Sequence, residues 1–161
     1  MAERRIAQRP DELVKPEVAL SMSGQEFMER MLAGEFPAPP ISEHMNMLLT
    51  KVEAGRVIFE GTPMFAAFNP MGTLHGGWYG TILDSAMACA VMSALDRGQY
   101  YTTLEYKVNI IRSIPAGMAV TCEGIADHVG RSTGIAHGEV RGTEDGKLYA
   151  TGSTTCMVMR A

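Results

Sequence analysis

The sequence has little net charge, few cysteines and no long apolar run, and each shortage excludes a class of protein. Its 161 residues carry a formal net charge of −4, which argues against nucleic-acid binding because that needs clustered Lys and Arg. No apolar stretch reaches the roughly 18 residues that span a bilayer, so no membrane partner is expected. The three cysteines, Cys89, Cys122 and Cys156, lie in apolar runs without metal-ligand spacing. They are typical of reduced core residues, and we predict a cytoplasmic protein.

Sequence motifs of several enzyme classes are missing as well. There is no Walker loop and no dinucleotide-binding fingerprint, and the serines lack the nucleophile elbow of a serine hydrolase. His44, His128 and His137 are scattered, with no second ligand at metal-binding spacing. The sequence therefore predicts a protein without a bound metal or organic cofactor.

The patterns that are present predict one long helix between two groups of strands. Apolar alternation in "MLLTKVEAGRVIFEGTP" predicts a hairpin with Gly55 in its turn, and a helix is expected from about Gly76 to Leu95. Four further strands follow, and their short connections require antiparallel pairing. The predicted fold class is therefore α+β.

The N-terminal segment has a different character. Residues 1 to about 20 are polar and interrupted by two prolines, which predicts a mobile arm. Ser23 is expected to cap a short helix that ends near Ala33, with Glu26 as its capping-box partner. The apolar spacing of that helix predicts that it packs on the main body.

Asp84 is the only residue of the predicted long helix that is expected to be charged. A helix that is apolar on nearly all sides belongs in the interior, where a carboxylate without partners costs several kcal/mol. Gly77, Gly80 and Ala88 share its side of the helix and leave room for another group to approach. Two interpretations stay open: the carboxylate accepts structural hydrogen bonds, or it faces a substrate cleft.

The tripeptide His75-Gly76-Gly77 stands where this helix begins. The first N–H groups of a helix have no partner within it, so they stabilise negative charge, including the oxyanion of a carbonyl under attack. Gly76 and Asp84 are eight residues apart, about 12 Å along a helix, whereas both groups must lie about 3 Å from one reacting atom. A catalytic site would therefore need two copies of the helix, packed across a homodimer interface.

Three stretches, "PMGTLHGGWYGTILDSAMACAV", "TTLEYKVNIIRSIPAG" and "VGRSTGIAHGEVRGTEDGKLYATGSTTCMV", resemble the hot-dog-fold acyl-CoA thioesterases of the phenylacetate-pathway (PaaI-like) type. The resemblance covers about residues 38 to 160. It implies a hot-dog domain over residues 38–161, preceded by an N-terminal arm and short helix over residues 1–37. In this family a long central helix is wrapped by an antiparallel β-sheet, and the chains form homodimers that often pair into tetramers.

The resemblance also implies roles for individual residues. The family pattern Asn-x5-His-Gly-Gly-x6-Asp is matched by Asn69, His75, Gly76, Gly77 and Asp84. Asp84 would activate water or attack the thioester carbon directly, while the backbone N–H of Gly76 would hold the thioester oxygen. Asn69 would orient the water or the carbonyl.

Further residues are assigned to assistance and substrate binding on the same basis. A Ser or Thr at the start of the strand after the helix assists some members; here Thr103 fits, with Thr102 as its close rival. Gly77 lets a ligand approach the backbone closely, and Trp78 stands where many members carry a smaller residue, which predicts a reshaped acyl pocket. The candidates for contact with the coenzyme A phosphates are Arg112, Arg131, Ser132 and Thr133.

Three functional hypotheses follow from these residues. The first is a thioesterase that hydrolyses an acyl-CoA to free acid and coenzyme A, with coenzyme A entering as part of the substrate. The second is a hot-dog acyl-thioester hydratase or dehydratase in which His75 takes the lead role, and the third is a non-catalytic acyl-CoA-binding module. The first is favoured because Asn69, Gly76 and Asp84 all fit the thioesterase pattern, although the sequence does not identify the acyl group.

Overall fold

The computed structural model describes residues 5–161, so the first four residues of the predicted arm lie outside it. The helices are α1 (Pro16–Ala19), α2 (Gly24–Leu32), α3 (Ile41–His44) and α4 (Gly76–Ser93), and short 3₁₀ turns cover Pro10–Glu12 and Phe65–Ala67. The strands are β1 (Met47–Glu53), β2 (Arg56–Gly61), β3 (Gln99–Ile110), β4 (Val120–Val129), β5 (Thr133–Gly142) and β6 (Leu148–Arg160). Within residues 5–161, none of the helices combines the length and the apolar character that crossing a membrane requires.

The six strands form one antiparallel sheet in the order β1-β2-β4-β5-β6-β3, and α4 packs across one of its faces. β1 and β2 are the predicted hairpin, and Gly55 adopts a left-handed conformation in its turn with φ of +75°. The four strands after α4 all pair through antiparallel ladders, and β3 pairs with β6 and not with β4, the strand that follows it in the chain. The predicted α+β class is confirmed.

The hydrophobic core lies between α4 and the sheet, and the helix approaches the strands very closely. Leu83 and Met87 of α4 are fully buried in this layer. At Gly124 of β4, a Cβ atom would overlap the carbonyl of Ala86 in α4, so glycine is needed at that point of contact. The close contact sets the height of α4 over the sheet and therefore the position of Asp84.

Trp78 is a core residue, and its influence on an acyl pocket stays a prediction. Its side chain is 2% exposed, packs against Gly61 of β2, and donates its indole N–H to the carbonyl oxygen of Met45 at 2.9 Å. Trp78 precedes Asp84 by six residues, which places the two about 120° apart around the helix axis. The indole therefore contributes to the core and not to the surroundings of Asp84.

The edge strand β3 contains a β-bulge that brings two of its side chains onto α4. Its register against β6 shifts at Leu104, and a bulge re-aims the side chains around it. Thr103 bonds to Asp84, while the ring of Tyr106 packs on Gly80, where an added Cβ would lie 3.2 Å from it. The space predicted beside Gly80 is therefore filled by this chain's own Tyr106.

The N-terminal segment packs on the body of the protein, so the predicted mobile arm is wrong for residues 5–20. Ala7 is 1% exposed, and its N–H donates to the carbonyl oxygen of Ala38 at 2.9 Å. The predicted cap of α2 is confirmed, because Ser23 Oγ accepts from the N–H of Glu26 at 3.2 Å. The segment from residue 5 to α3 thus forms a layer against β1 and the C-terminal half of α4.

Candidate active site

Asp84 lies in the middle of α4 and is half-buried, with one defined hydrogen-bond donor. Thr103 Oγ1 donates to Asp84 Oδ1 at 3.0 Å. Partial burial raises the pKa of the Asp84 carboxyl above its ordinary value, and the hydrogen bond from Thr103 opposes that rise. A carboxylate with a raised pKa is a better proton acceptor than an ordinary one, which suits a general base.

Of the two threonines proposed to assist Asp84, the structure brings only Thr103 to it. Thr102 is exposed, and its hydroxyl makes no side-chain hydrogen bond within residues 5–161. Adjacent side chains of a strand point to opposite faces of the sheet, so Thr102 points away from the helix when Thr103 points toward it.

Asp84 also lines an apolar cavity of about 430 Å³, which the sequence did not predict. Along α4 the cavity runs from Asp84 and Ser85 to Met92. Its other walls come from the N-terminal segment, from β1, from Phe59 of β2 and from Tyr101 of β3. The apolar face of α2 predicts that this helix packs on the rest of the protein. The cavity beneath the helix results from contacts between distant segments, so the sequence does not predict it. Lining residues from the N-terminal segment and β1 include Val14, Phe27, Met28, Met31, Leu32, Met47 and Leu49.

The start of α4 offers one free backbone donor. His75 caps the helix, since its Nδ1 accepts from the N–H of Gly77 at 2.9 Å. Gly76 is exposed, and within residues 5–161 its own N–H has no acceptor. An added Cβ on Gly76 would meet only the Ile110 side chain, at an ordinary 3.5 Å. The Gly76 N–H is thus available to a ligand, whereas the imidazole of His75 already has a structural task.

The side chain of Asn69 is engaged within its own loop. Its Oδ1 accepts from the N–H groups of Met71 and Thr73, and its Nδ2 donates to Thr73 Oγ1 at 2.9 Å. These bonds shape the loop that leads into His75, whose N–H donates to the carbonyl oxygen of Ala67. Asn69 therefore positions the start of α4, and its role toward water or the carbonyl stays a prediction.

The proposed phosphate contacts lie at opposite ends of the sheet within one protomer. Arg112 follows β3, and its guanidinium donates to the carbonyl oxygen of Leu148 at the start of β6. Arg131 and Ser132 lie in the β4–β5 connection, and Thr133 is the first residue of β5 and pairs with the far end of β6. One protomer does not bring the two groups together at a single phosphate site.

The groups proposed for catalysis are also separated within one chain. Gly76 and Asp84 belong to the same uninterrupted helix, so they lie about 12 Å apart along its axis. In the part of the chain that is described, no group of His, Cys, Asp or Glu side chains is arranged to hold a metal ion. The chemistry available at Asp84 is therefore that of a carboxylate, a hydroxyl and an adjoining apolar cavity.

Comparison with known proteins places this arrangement in a family. The thioesterase superfamily model matches residues 71–149. A phenylacetic acid degradation-related protein from Ralstonia eutropha JMP134 is 31% identical over 80% of this chain and 97% of its own, with a TM-score of 0.72. A conserved protein from Pseudomonas aeruginosa is 28% identical over 74% of this chain and 94% of its own, with a TM-score of 0.69.

A hypothetical thioesterase protein from Streptococcus pneumoniae TIGR4, solved with coenzyme A, has the same fold. It is 23% identical over 71% of this chain and 90% of its own, with a TM-score of 0.65. No curated protein matches the sequence. The chain belongs to the thioesterase superfamily, and it is a thioester hydrolase with the hot-dog fold, of the PaaI-like type.

Proposed function

We propose that the protein is an acyl-CoA thioesterase in which Asp84 is the nucleophile or the general base. The observation that carries the proposal is the placement of a half-buried carboxylate, held by Thr103, beside an apolar cavity. A structural role alone gives no reason for a cavity next to a carboxylate. The coenzyme A bound in the Streptococcus pneumoniae structure supports a CoA ester as the substrate.

Two routes of hydrolysis are open to Asp84. As a general base it takes a proton from water while the water oxygen attacks the thioester carbon. The tetrahedral oxyanion accepts the Gly76 N–H, and its collapse expels the coenzyme A thiolate, which takes up the proton. As a nucleophile the carboxylate itself forms the new C–O bond and expels the thiolate, and water then hydrolyses the mixed anhydride.

Both routes require Gly76 of a partner copy, because one helix cannot present both groups to the same atom. β3 is an edge strand, and its exposed apolar side chains include Leu104, Tyr106 and Ile110. A twofold pairing of this edge with the same edge of a second copy would continue the sheet and lay two α4 helices side by side. If the axis passes near Gly80, midway between Gly76 and Asp84, each carboxylate meets the partner's helix start. We therefore propose a homodimer with two shared sites, and a dimer of dimers as the larger assembly.

The remaining parts of the proposal concern binding and location. Arg131, Ser132 and Thr133 form an exposed connection that offers a cation and hydroxyl donors to the coenzyme A phosphates, and Arg112 offers a cation at the other end of the sheet. The three cysteines are free thiols, which suits a reducing compartment, so we place the reaction in the cytoplasm.

The direct test is a thiol-release assay on a panel of acyl-CoAs. Asp84→Asn and Asp84→Ala are expected to lower kcat at least about 100-fold, the lower end for loss of a general base, while the protein stays folded. Asp96→Asn is the matched control, because Asp96 is exposed just after α4. Unchanged activity in both Asp84 variants would overturn the assignment. Formation of a hydrated acyl-CoA without thiol release would identify a hydratase instead.

A further inference from the structure

The cavity beside Asp84 is walled in large part by a segment outside the family match. The thioesterase superfamily model covers residues 71–149, whereas much of the cavity lining comes from residues 13–42. Val14 lines it from the N-terminal segment, and Met31 lines it from α2. The N-terminal segment therefore contributes a large part of the shape of the space beside Asp84.

The cavity is elongated along α4. The helix residues that line it begin at Asp84 and end at Met92, nine residues whose ends lie about 12 Å apart. A phenylacetyl group whose carbonyl lies at Asp84 would fill only the nearer part of that length. An extended alkyl chain of medium length, such as octanoyl or decanoyl, matches it.

The chemistry of the walls favours a flexible apolar chain without charge. Met28, Met31, Met47 and Met92 all line the cavity, and methionine adapts its shape to an irregular apolar partner. Among residues 5–161, Asp84 is the only charged residue in the lining. An acyl group with a second carboxylate would find no cation there and would be repelled by Asp84.

We propose that the cavity binds a linear aliphatic acyl chain of medium length, and that the N-terminal segment sets the chain-length preference. The proposal rests on the proposed thioesterase function and deepens it by naming the substrate class. The acyl chain lies under the segment of one protomer, with the thioester carbonyl at Asp84 of that same protomer.

The first test is the chain-length profile of thiol release by the full-length protein. With butyryl-, hexanoyl-, octanoyl-, decanoyl- and palmitoyl-CoA, kcat/KM is expected to rise about fourfold for each added methylene up to octanoyl or decanoyl. It should then fall for palmitoyl-CoA, and phenylacetyl-CoA should be a poorer substrate than octanoyl-CoA. A flat profile, or a preference for phenylacetyl-CoA, would overturn the chain-length proposal and leave the thioesterase function intact.

Two substitutions at Val14 connect the profile to the N-terminal segment. Val14→Trp is expected to narrow the cavity and lower kcat/KM for octanoyl-CoA at least tenfold, with a smaller loss for butyryl-CoA. Val18→Trp is the matched control, since Val18 is 39% exposed and lines no part of the cavity. Val14→Ala, a milder change that favours folding, should move the optimum toward longer chains. Equal profiles for the wild type and both Val14 variants would contradict the role of the segment.

A binding measurement separates this proposal from the proposed function. Calorimetry on the Asp84→Asn protein should show that octanoyl-CoA binds at least tenfold more tightly than acetyl-CoA. This difference in affinity should be smaller in the double variant that carries both Val14→Trp and Asp84→Asn. If the wild type released no thiol but this difference were found, the thioesterase function would fail and the cavity assignment would stand. Equal affinities for the two esters would overturn the cavity assignment.

Discussion

Thr103→Val is the substitution that perturbs the Asp84 carboxylate most directly without removing it. Thr103 Oγ1 donates to Asp84 Oδ1 at 3.0 Å, and valine keeps the shape of the side chain but has no donor. A hydrogen bond to a charged group contributes about 1.5–3 kcal/mol, and the low end applies because Asp84 is only half-buried. Losing about 1.5 kcal/mol of hydrogen-bond free energy raises the pKa of the Asp84 carboxyl. The ionised fraction of Asp84 is then about tenfold smaller at every pH below the pKa of the carboxyl.

The assay is thiol release as a function of pH. For Thr103→Val we expect kcat/KM to be about tenfold lower on the acidic limb, with the limb displaced to higher pH. The difference should shrink at alkaline pH, where Asp84 is ionised in both enzymes. Thr103→Ser keeps the hydroxyl and should follow the wild-type profile. A Thr103→Val profile that superimposes on the wild type, or one lowered equally at every pH, would refute this reasoning.

Three further predictions concern the start of α4 and the effect of Asp84 on the stability of the protein. Gly76→Pro removes the free N–H and should lower kcat about 10²–10³-fold. Tm should be nearly unchanged, because proline is well tolerated at the first position of a helix. Gly76→Ala keeps the N–H, and its kcat should fall far less. His75→Ala removes the helix cap and should lower the free energy of unfolding, measured by urea titration, by about 1 kcal/mol. His75→Asn should restore that stability. Loss of thiol release in both variants would favour the hydratase hypothesis. Since burial raises the pKa of Asp84, its ionised form destabilises the fold increasingly as the pH rises through that pKa. Asp84→Asn should therefore raise Tm at neutral pH, and the gain should vanish in acid; a lower Tm at neutral pH would contradict this.

The elements that local patterns determine could be predicted from the sequence. The hairpin at Gly55, the cap at Ser23 and the long helix from Gly76 follow from turn residues, capping residues and apolar periodicity. These signals act within a few residues, so a single chain displays them directly. A single carboxylate in an otherwise apolar helix likewise identifies Asp84 as a candidate functional residue from the sequence alone.

The features that the sequence did not predict depend on contacts between distant segments. The β-bulge at Leu104 lets Thr103 and Tyr106 both face α4, and nothing in the local sequence indicates where the register of β3 against β6 shifts. The packing of residues 5–20 depends on a backbone bond from Ala7 to Ala38, which polar composition does not show. The motif predicts that Trp78 contacts the substrate, whereas its angle around the helix axis places the indole in the core.

The central claim is that each active site combines Asp84 of one protomer with the Gly76 N–H of its partner, and co-assembly of two inactive variants tests it most directly. Asp84→Asn and Gly76→Pro chains would be co-expressed in equal amounts, and thiol release compared with that of each variant alone. When the two groups come from different chains, random assembly makes about half of the dimers mixed, and one of the two sites in each mixed dimer has both groups intact. About a quarter of all sites are then functional. The account predicts about a quarter of the wild-type rate for the mixture. A mixture no more active than the separate variants would contradict it.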